Sequence, residues 1–285
     1  MNISTVCVIG MGTMGSEIGI VCANSGFDTV MVEVNAQQIE KGLKAINSVL
    51  QRLAKKKLIN ENNTQKISDR IKPTTEREEA FSKADLIIEA TFEDMNLKKE
   101  LFKAIDEACK NTAIIASNTS TLSITEIAAV TSRPDRSIGM HFLIPATLNP
   151  VVELVKGIKT SEETHRFASE FIKACKKSSV TSKDSPAFII NRLYVPLINE
   201  AFLMLQENLA TAEEIDFACQ KGLGFPLGPF AASDSSGLDV VLDCVNTLHK
   251  RLGDKYRPSQ LLVNLVNAGN LGRKTGRGVF EYDKK

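Results

Sequence analysis

Two places in this chain hold residue types that can do chemistry at a usable spacing. The first is Gly10-Met11-Gly12-Thr13-Met14-Gly15, which directly follows the apolar run 6–9 and opens a helical pattern. Glycines so spaced between a strand and a helix allow a tight turn, close approach of backbone to a pyrophosphate, and close helix–strand packing. The helix start adds unpaired amides and the positive end of its dipole. Glu33 ends a second strand-like run, where a carboxylate accepts hydrogen bonds from the adenosine ribose hydroxyls. That carboxylate repels a 2′-phosphate, and residues 34–40 contain no Lys or Arg, so NAD is expected over NADP. A glycine turn without a ligand and a solvated strand-end carboxylate are the plainer readings.

The second place is His141. The chain has three histidines. His165 and His249 lie in polar helical stretches and read as surface residues. His141 instead ends the strand-like run 137–140, and strand ends are where α/β folds place their ligands. Glu153 stands alone among apolar residues in the run 151–155 and needs a partner if it points inward. His141 is a candidate partner, which would make a carboxylate-oriented imidazole able to act as a base. A structural histidine remains the alternative from these residues alone.

The elements that position these groups follow from apolar patterning. Runs 6–9, 29–32, 86–88 and 113–116 are continuously apolar, as strands covered on both faces are. Between them, Ile39, Leu43, Ile46, Leu50 and Leu53 mark one face of a long helix, with Asn35 as its cap and Gln38 reaching back. Strand–helix alternation predicts an α/β fold with an N-terminal Rossmann-type doubly wound sheet over residues 1–183. From about residue 185 strand-like runs fade, and helical spacing covers 187–206, 212–220, 240–251 and 260–267. An all-helical C-terminal domain, 184–285, is expected, with Asp184-Ser185-Pro186 as the link.

Composition narrows the class. The 285 residues carry a net charge of +1, with 43% hydrophobic and 24% charged residues, as in a globular enzyme. The near-zero charge argues against nucleic acid and against a polybasic membrane surface. No long apolar run suggests a membrane helix, and the glycine-broken start is a poor signal peptide. The six scattered cysteines form no CxxC pair, so no metal is expected, and they read as core thiols of a cytoplasmic protein.

Several motifs then occur in one order: the 10–15 loop, Ser117-Asn118-Thr119-Ser120, His141-Phe142 with Pro145 and Val152-Glu153-Leu154-Val155, and Phe188-Ile189-Ile190-Asn191-Arg192-Leu193. Gly224-Phe225-Pro226-Leu227-Gly228-Pro229-Phe230, Gly237-Leu238-Asp239 and Lys274-Thr275-Gly276-Arg277-Gly278 follow. Across nearly its whole length the chain resembles the short-chain L-3-hydroxyacyl-CoA dehydrogenases of the 3-hydroxybutyryl-CoA type. The resemblance implies an NAD-dependent dehydrogenase with His141 as catalytic base and Glu153 orienting it. Ser120 and Asn191 would hydrogen-bond around the reacting oxygen, and Glu93 and Lys98 would contact the cofactor beside Gly10, Gly12, Gly15 and Glu33. Within Lys55-Lys56-Lys57, Lys56 is the candidate for the coenzyme A phosphates of an acyl-CoA substrate. The helical domain has more apolar segments than one small bundle needs, which suggests a homodimer through the C-terminal domain. Ser120 as a plain helix cap or turn residue, Asn191 as a cap, and the lysines as a solvated helix face are the structural alternatives.

One departure stands beside the site. The family reads His-Phe-Phe-Asn-Pro where this chain has His141-Phe142-Leu143-Ile144-Pro145, and Pro150 occupies the region where a basic residue is usual. Ile144 supplies no amide, which keeps open a non-CoA 3-hydroxy substrate such as carnitine or a sugar acid. Two other readings are the β-hydroxyacid dehydrogenases, which use a catalytic lysine and lack the His–Glu pair, and a catalytically silent, crystallin-like protein on the same scaffold.

Overall fold

A computed structural model of the protein describes residues 3–283. The chain forms two compact units that divide between Ser185 and Pro186. The first unit runs β1 (Thr5–Ile9), α1 (Thr13–Asn24), β2 (Asp28–Val32), α2 (Ala36–Lys55), α3 (Glu61–Arg70), β3 (Ile71–Thr74), α4 (Arg77–Lys83) and β4 (Leu86–Glu89). It continues with α5 (Met95–Ala108), β5 (Ile114–Ser117), α6 (Ile124–Ala128), β6 (Ser137–Phe142), β7 (Val151–Lys156), α7 (Glu162–Ala174) and β8 (Ser178–Lys183).

These strands make one sheet in the order β3-β2-β1-β4-β5-β6-β7-β8. All neighbouring pairs are parallel except β6 and β7, which run antiparallel. The continuously apolar runs are explained by the two cores they serve. Val6 and Val8 of β1, Leu86 and Ile88 of β4, and Ile114 and Ala116 of β5 enter one core with α1, α2, α3 and α7. The alternate residues Cys7, Ile9, Ile87 and Ile115 enter the other, with α4 and α5. Side chains alternate across a strand, so a sheet covered on both faces needs apolar residues at every position. The edges read differently. Pro73 sits in edge strand β3, where its missing donor does no harm. The other edge, β8, is Ser-Ser-Val-Thr-Ser-Lys and largely exposed. The apolar criterion did not select it.

In α2, Gly42, Ile46, Leu50 and Leu53 are buried, with Ile39 and Leu43 packed against the same core. The Asn35 side chain accepts a hydrogen bond from the Gln38 amide. The polar helix α3 was not expected, because it buries little beyond Ile67 and shows no apolar stripe.

The second unit holds α8 (Ile190–Gln206), α9 (Ala212–Gly222), α10 (Pro229–Ser236), α11 (Leu238–Leu252) and α12 (Gln260–Asn267) around its own core of Phe202, Phe230, Val245 and Leu248. The helix expected from 187 begins at Ile190, because Ala187 and Phe188 take left-handed backbone angles, φ 60° and 55°. Non-glycine residues adopt that conformation only when packing holds them there. Both side chains are buried. The short α10 lacked a periodic pattern and was not expected; Asp216 accepts hydrogen bonds from the Phe230 and Ala231 amides at its first turn. Among the described residues no helix is long and apolar enough to cross a membrane.

Asp85 fastens the start of β1 to β4. Its carboxylate accepts hydrogen bonds from the Ser4 amide (2.9 Å), the Ser4 hydroxyl (3.1 Å), the Thr5 amide (3.1 Å) and Lys110 Nζ (2.7 Å). Burial alone raises its pKa, but Lys110 and the Ser4 and Thr5 donors outweigh that and bring it down to about 2. A carboxylate depressed on folding stabilises the fold above its unfolded pKa, and that contribution is lost as pH falls toward the folded value. With solvent screening at this partly exposed site, Asp85→Asn is expected to cost about 1 kcal/mol at pH 7. Urea unfolding of wild type and variant between pH 7 and pH 3 measures this. A difference that fails to shrink below pH 4 would show that Asp85 does not act through its charge.

Candidate active site

The antiparallel register of β6 and β7 puts His141 directly opposite Glu153. Opposed residues share a sheet face, so their side chains meet. His141 Nδ1 lies 2.7 Å from Glu153 Oε2. Glu153 is 0% exposed and His141 4%. A carboxylate only accepts, so in the neutral imidazole Nδ1 carries the hydrogen and Nε2 the lone pair. Nε2 is 3.1 Å from Ser120 Oγ, which donates to it in that tautomer. The result is a line from Glu153 through His141 to Ser120, in which the basic nitrogen Nε2 faces the Ser120 hydroxyl.

Ser120 rides on the turn between β5 and α6. It does not cap the helix; Ser123 does, accepting from the Glu126 amide. Asn118 Oδ1 accepts from the Phe142 amide at 2.8 Å, joining this turn to the end of β6 beside His141. Glu93 Oε1 accepts from the Ser120 and Thr121 amides, both 2.9 Å, and from the hydroxyls of Thr119 and Thr121 at 2.6 and 3.1 Å. Lys98 is 1% exposed, with Nζ 2.7 Å from Glu89 and 3.6 Å from Glu93, whose side chain is 40% exposed. Asn118 was quoted only as part of a motif, and nothing in its spacing marks it as a brace. Glu89 was missed too, although a carboxylate ending an apolar strand is the signal that singled out Glu33.

The glycine loop connects β1 to α1, with Gly12 as the N-terminal cap. Gly10 has φ +94°, and a Cβ there would stand 2.8 Å from the Ala90 carbonyl oxygen. A Cβ on Gly15 would meet Gly10 O at 1.9 Å, whereas one on Gly12 would meet nothing within 4 Å. Turn, close packing and open approach are thus divided among the three glycines as a dinucleotide phosphate site requires. Glu33 follows β2, and its carboxylate accepts from the Met11 amide at 2.7 Å and the Val34 amide at 2.9 Å. The loop and Glu33 fit NAD: amides and a helix start for the phosphates, a carboxylate for the ribose.

Lys56 is exposed and is the C-cap of α2, while Lys57 lies beyond the helix at φ 57°. Cations there also suit the negative end of the helix dipole. Asn191 stands in the first turn of α8, in the second unit. Ile144, 56% exposed, sits on the loop between β6 and β7. That loop is fastened to α1 by buried Glu17, whose Oε2 accepts from the Thr147 amide at 3.0 Å and hydroxyl at 3.2 Å. Sequence reasoning missed this tie too. Among the described residues no group of His, Cys, Asp or Glu is arranged to hold a metal ion.

Comparison with known proteins agrees with this geometry. Residues 5–185 match the family model described as 3-hydroxyacyl-CoA dehydrogenase, NAD binding domain, and residues 188–282 match the one for the same enzyme's C-terminal domain. The chain is 42% identical over 280 residues to a 3-hydroxybutyryl-CoA dehydrogenase from Clostridioides difficile, covering 98% of this chain and 99% of that one. It is 37% identical over 284 residues to the human mitochondrial hydroxyacyl-coenzyme A dehydrogenase, covering 97% and 90%. The crystal structure of (S)-3-hydroxybutyryl-CoA dehydrogenase from Ralstonia eutropha superposes with a TM-score of 0.93 at 44% identity, over 99% of this chain and 100% of that one.

The division of labour among the glycines is testable. Gly12→Ala should leave the melting temperature unchanged and weaken NAD about tenfold or more, roughly 1.4 kcal/mol, because the methyl group fills the approach. Gly15→Ala should lower the melting temperature, since its Cβ collides with Gly10. Calorimetric NAD titration and thermal melts separate the two. Unchanged NAD affinity in Gly12→Ala would remove the loop from cofactor binding.

Proposed function

The chain belongs to the 3-hydroxyacyl-CoA dehydrogenase family and is an NAD-dependent oxidoreductase, and we propose that it interconverts L-3-hydroxyacyl-CoA and 3-ketoacyl-CoA with 3-hydroxybutyryl-CoA as the short-chain substrate. The observation that carries this reading is the Glu153–His141–Ser120 line, at 2.7 and 3.1 Å, at the strand ends that also carry the glycine loop.

Bound NAD supplies the hydride acceptor for the alcohol carbon, and NADH the donor in the reverse direction. The chain's own groups handle the proton and the oxygen. His141 Nε2 takes the proton of the 3-hydroxyl as general base. The imidazolium so formed is balanced by Glu153, which is held at Nδ1 away from water and needs no rearrangement to respond. The Ser120 hydroxyl, already directed at Nε2, turns its hydrogen to the substrate oxygen as that becomes a carbonyl. Asn191 is assigned to the same oxygen on the family pattern, and Gly10, Gly12, Gly15 and Glu33 to the cofactor. Glu93 serves the Ser120 turn, while Lys98, enclosed between Glu89 and Glu93, acts from behind it.

The family role of Lys56 is contact with the coenzyme A phosphates, and its exposure supports that. Self-association through the helical unit is supported by exposed Leu209, Phe217, Leu223, Leu227 and Val240. A cytoplasmic setting accords with six cysteines that are all free thiols.

Exposed Ile144, where the family has an amide, favours one second reading: a 3-hydroxy compound without coenzyme A. NADH oxidation with acetoacetyl-CoA, longer 3-ketoacyl-CoAs, free acetoacetate and 3-dehydrocarnitine decides between them. Acetoacetyl-CoA should give the highest kcat/KM, and His141→Gln should lower kcat by roughly 10²–10⁴-fold while NAD still binds. A folded variant retaining a tenth of the wild-type kcat would exclude His141 as the base.

Lys56→Ala should raise KM for acetoacetyl-CoA with little change in kcat, because contacts far from the reacting carbon bind substrate and transition state alike. The effect should fade at high salt and vanish with a pantetheine thioester, which lacks the nucleotide phosphates. An unchanged KM at low salt would make Lys56 a solvated residue.

A further inference from the structure

Glu89 ends β4 and is 0% exposed. No step of the mechanism uses it, yet it accepts four hydrogen bonds. Oε1 takes the Thr91 amide, the Thr91 hydroxyl and Lys98 Nζ, each at 2.7 Å. Oε2 takes the Ser117 hydroxyl at 2.6 Å, from the residue beside it in the β4–β5 register. Its partner Lys98 shares the buried face of α5 with Phe102 and Ile105. Removing two charges from water is expensive, and well-packed apolar residues often serve stability equally well. A stability role alone therefore accounts poorly for the pair.

Its placement offers another account, because two routes run from Glu89 to the turn that carries Ser120, one hydrogen-bonded throughout and one completed by an ion pair. The short one passes through Ser117 Oγ, which accepts from the Thr119 amide at 3.2 Å. The longer one passes through Lys98, whose Nζ is 3.6 Å from Glu93 Oε2, to the four donors of residues 119–121 that Glu93 Oε1 collects. The short route ends at Thr119, the neighbour of Ser120, and the longer one takes in the Ser120 amide itself, and the Ser120 hydroxyl lies 3.1 Å from His141 Nε2. Turns of small polar residues have several accessible conformations, and a hydroxyl displaced by an ångström no longer meets its partner. We propose that Glu89 is a positioning residue: the buried Glu89–Lys98 pair locks the 117–121 turn so that Ser120 Oγ is held at His141 Nε2.

The proposal rests on the reading of Ser120 and His141 as reacting groups, and a double-mutant cycle tests it separately. Glu89→Gln keeps the shape and removes the charge. Its amide can face Ser117, whose hydroxyl then accepts, and its oxygen still accepts from Lys98, but Glu93 is left as the one carboxylate paired with that lysine. In an otherwise wild-type chain, kcat for acetoacetyl-CoA reduction should fall about tenfold, with a melting temperature within a few degrees of wild type. In a Ser120→Ala background the same substitution should change kcat by less than twofold, since there is no hydroxyl left to position. A purely structural role predicts the same factor in both backgrounds, and that result overturns the proposal, as does a kcat in Glu89→Gln above half of wild type.

Histidine ring nitrogen NMR of the cofactor-free protein adds a reading independent of turnover. With three histidines in the chain, Glu89→Gln should shift the His141 resonance and leave those of His165 and His249 in place; an unmoved His141 resonance contradicts the proposal. If Glu89→Gln does not fold, Ser117→Ala, which removes one neutral donor, takes its place in both experiments with an expected three- to tenfold loss of kcat. No loss in that variant overturns the proposal. Failure of the catalytic reading itself looks different: His141→Gln or Ser120→Ala would then leave kcat near the wild-type value.

Discussion

The antiparallel register of β6 against β7 is the constraint on which the site depends. It places His141 opposite Glu153, so that a 2.7 Å hydrogen bond forms in a space closed to water. A slip of one residue would turn each side chain of β7 to the other face. Glu153 would then carry its charge into an apolar core with no partner, at a cost of several kcal/mol. Register and chemistry are therefore specified together: the pairing that satisfies the buried carboxylate also fixes the imidazole tautomer. The single reversal of direction in the sheet has a use here, because opposite residues in an antiparallel pair face each other directly.

The parallel strands supply the rest of the constellation by bringing like ends together. β1, β4, β5 and β6 lie side by side and all run the same way. Their C-terminal ends therefore deliver the glycine loop, Glu89, the Ser120 turn and His141 to one edge of the sheet. Loops at such an edge leave backbone donors without ladder partners, and buried donors must be satisfied. Carboxylates do that work repeatedly. Glu33 takes the Met11 amide, Glu93 the Ser120 and Thr121 amides, and Glu17 the Thr147 amide. Each ties a loop at the site to an element behind it.

The fold was legible wherever burial alone sets residue type. The continuously apolar strands and the stripe of α2 announce themselves because they face cores, and the Asn35 cap because its side chain competes for a nearby amide. Elements that bury little were silent. β8 is polar because it is an edge, and α3 is held mainly by Ile67. The helix start at Ile190 was misplaced because apolar spacing runs back through Ala187 and Phe188. Those residues pack in the core with left-handed backbones, and no pattern of residue types reports a sign of φ.

At the site, the same distinction separates what was read from what was missed. His141, Glu153 and the glycines stand out as types unusual for their surroundings. The destination of Lys98 was not visible in that way, since a lysine is ordinarily a solvated residue with its charge in water. Its position held the clue. Lys98 precedes Phe102 by four residues and Ile105 by seven, on the face of α5 that must be buried. A cation forced onto that face requires a buried anion within reach, and the carboxylate ending β4 is the group that the parallel sheet brings beneath it. Helical spacing of charged as well as apolar residues thus marks Lys98 as a buried cation, and the carboxylate ending β4 is its partner. The register then joins the glutamate of one strand end to the serine turn of the next, because Ser117 pairs with Glu89 and lies three residues before Ser120.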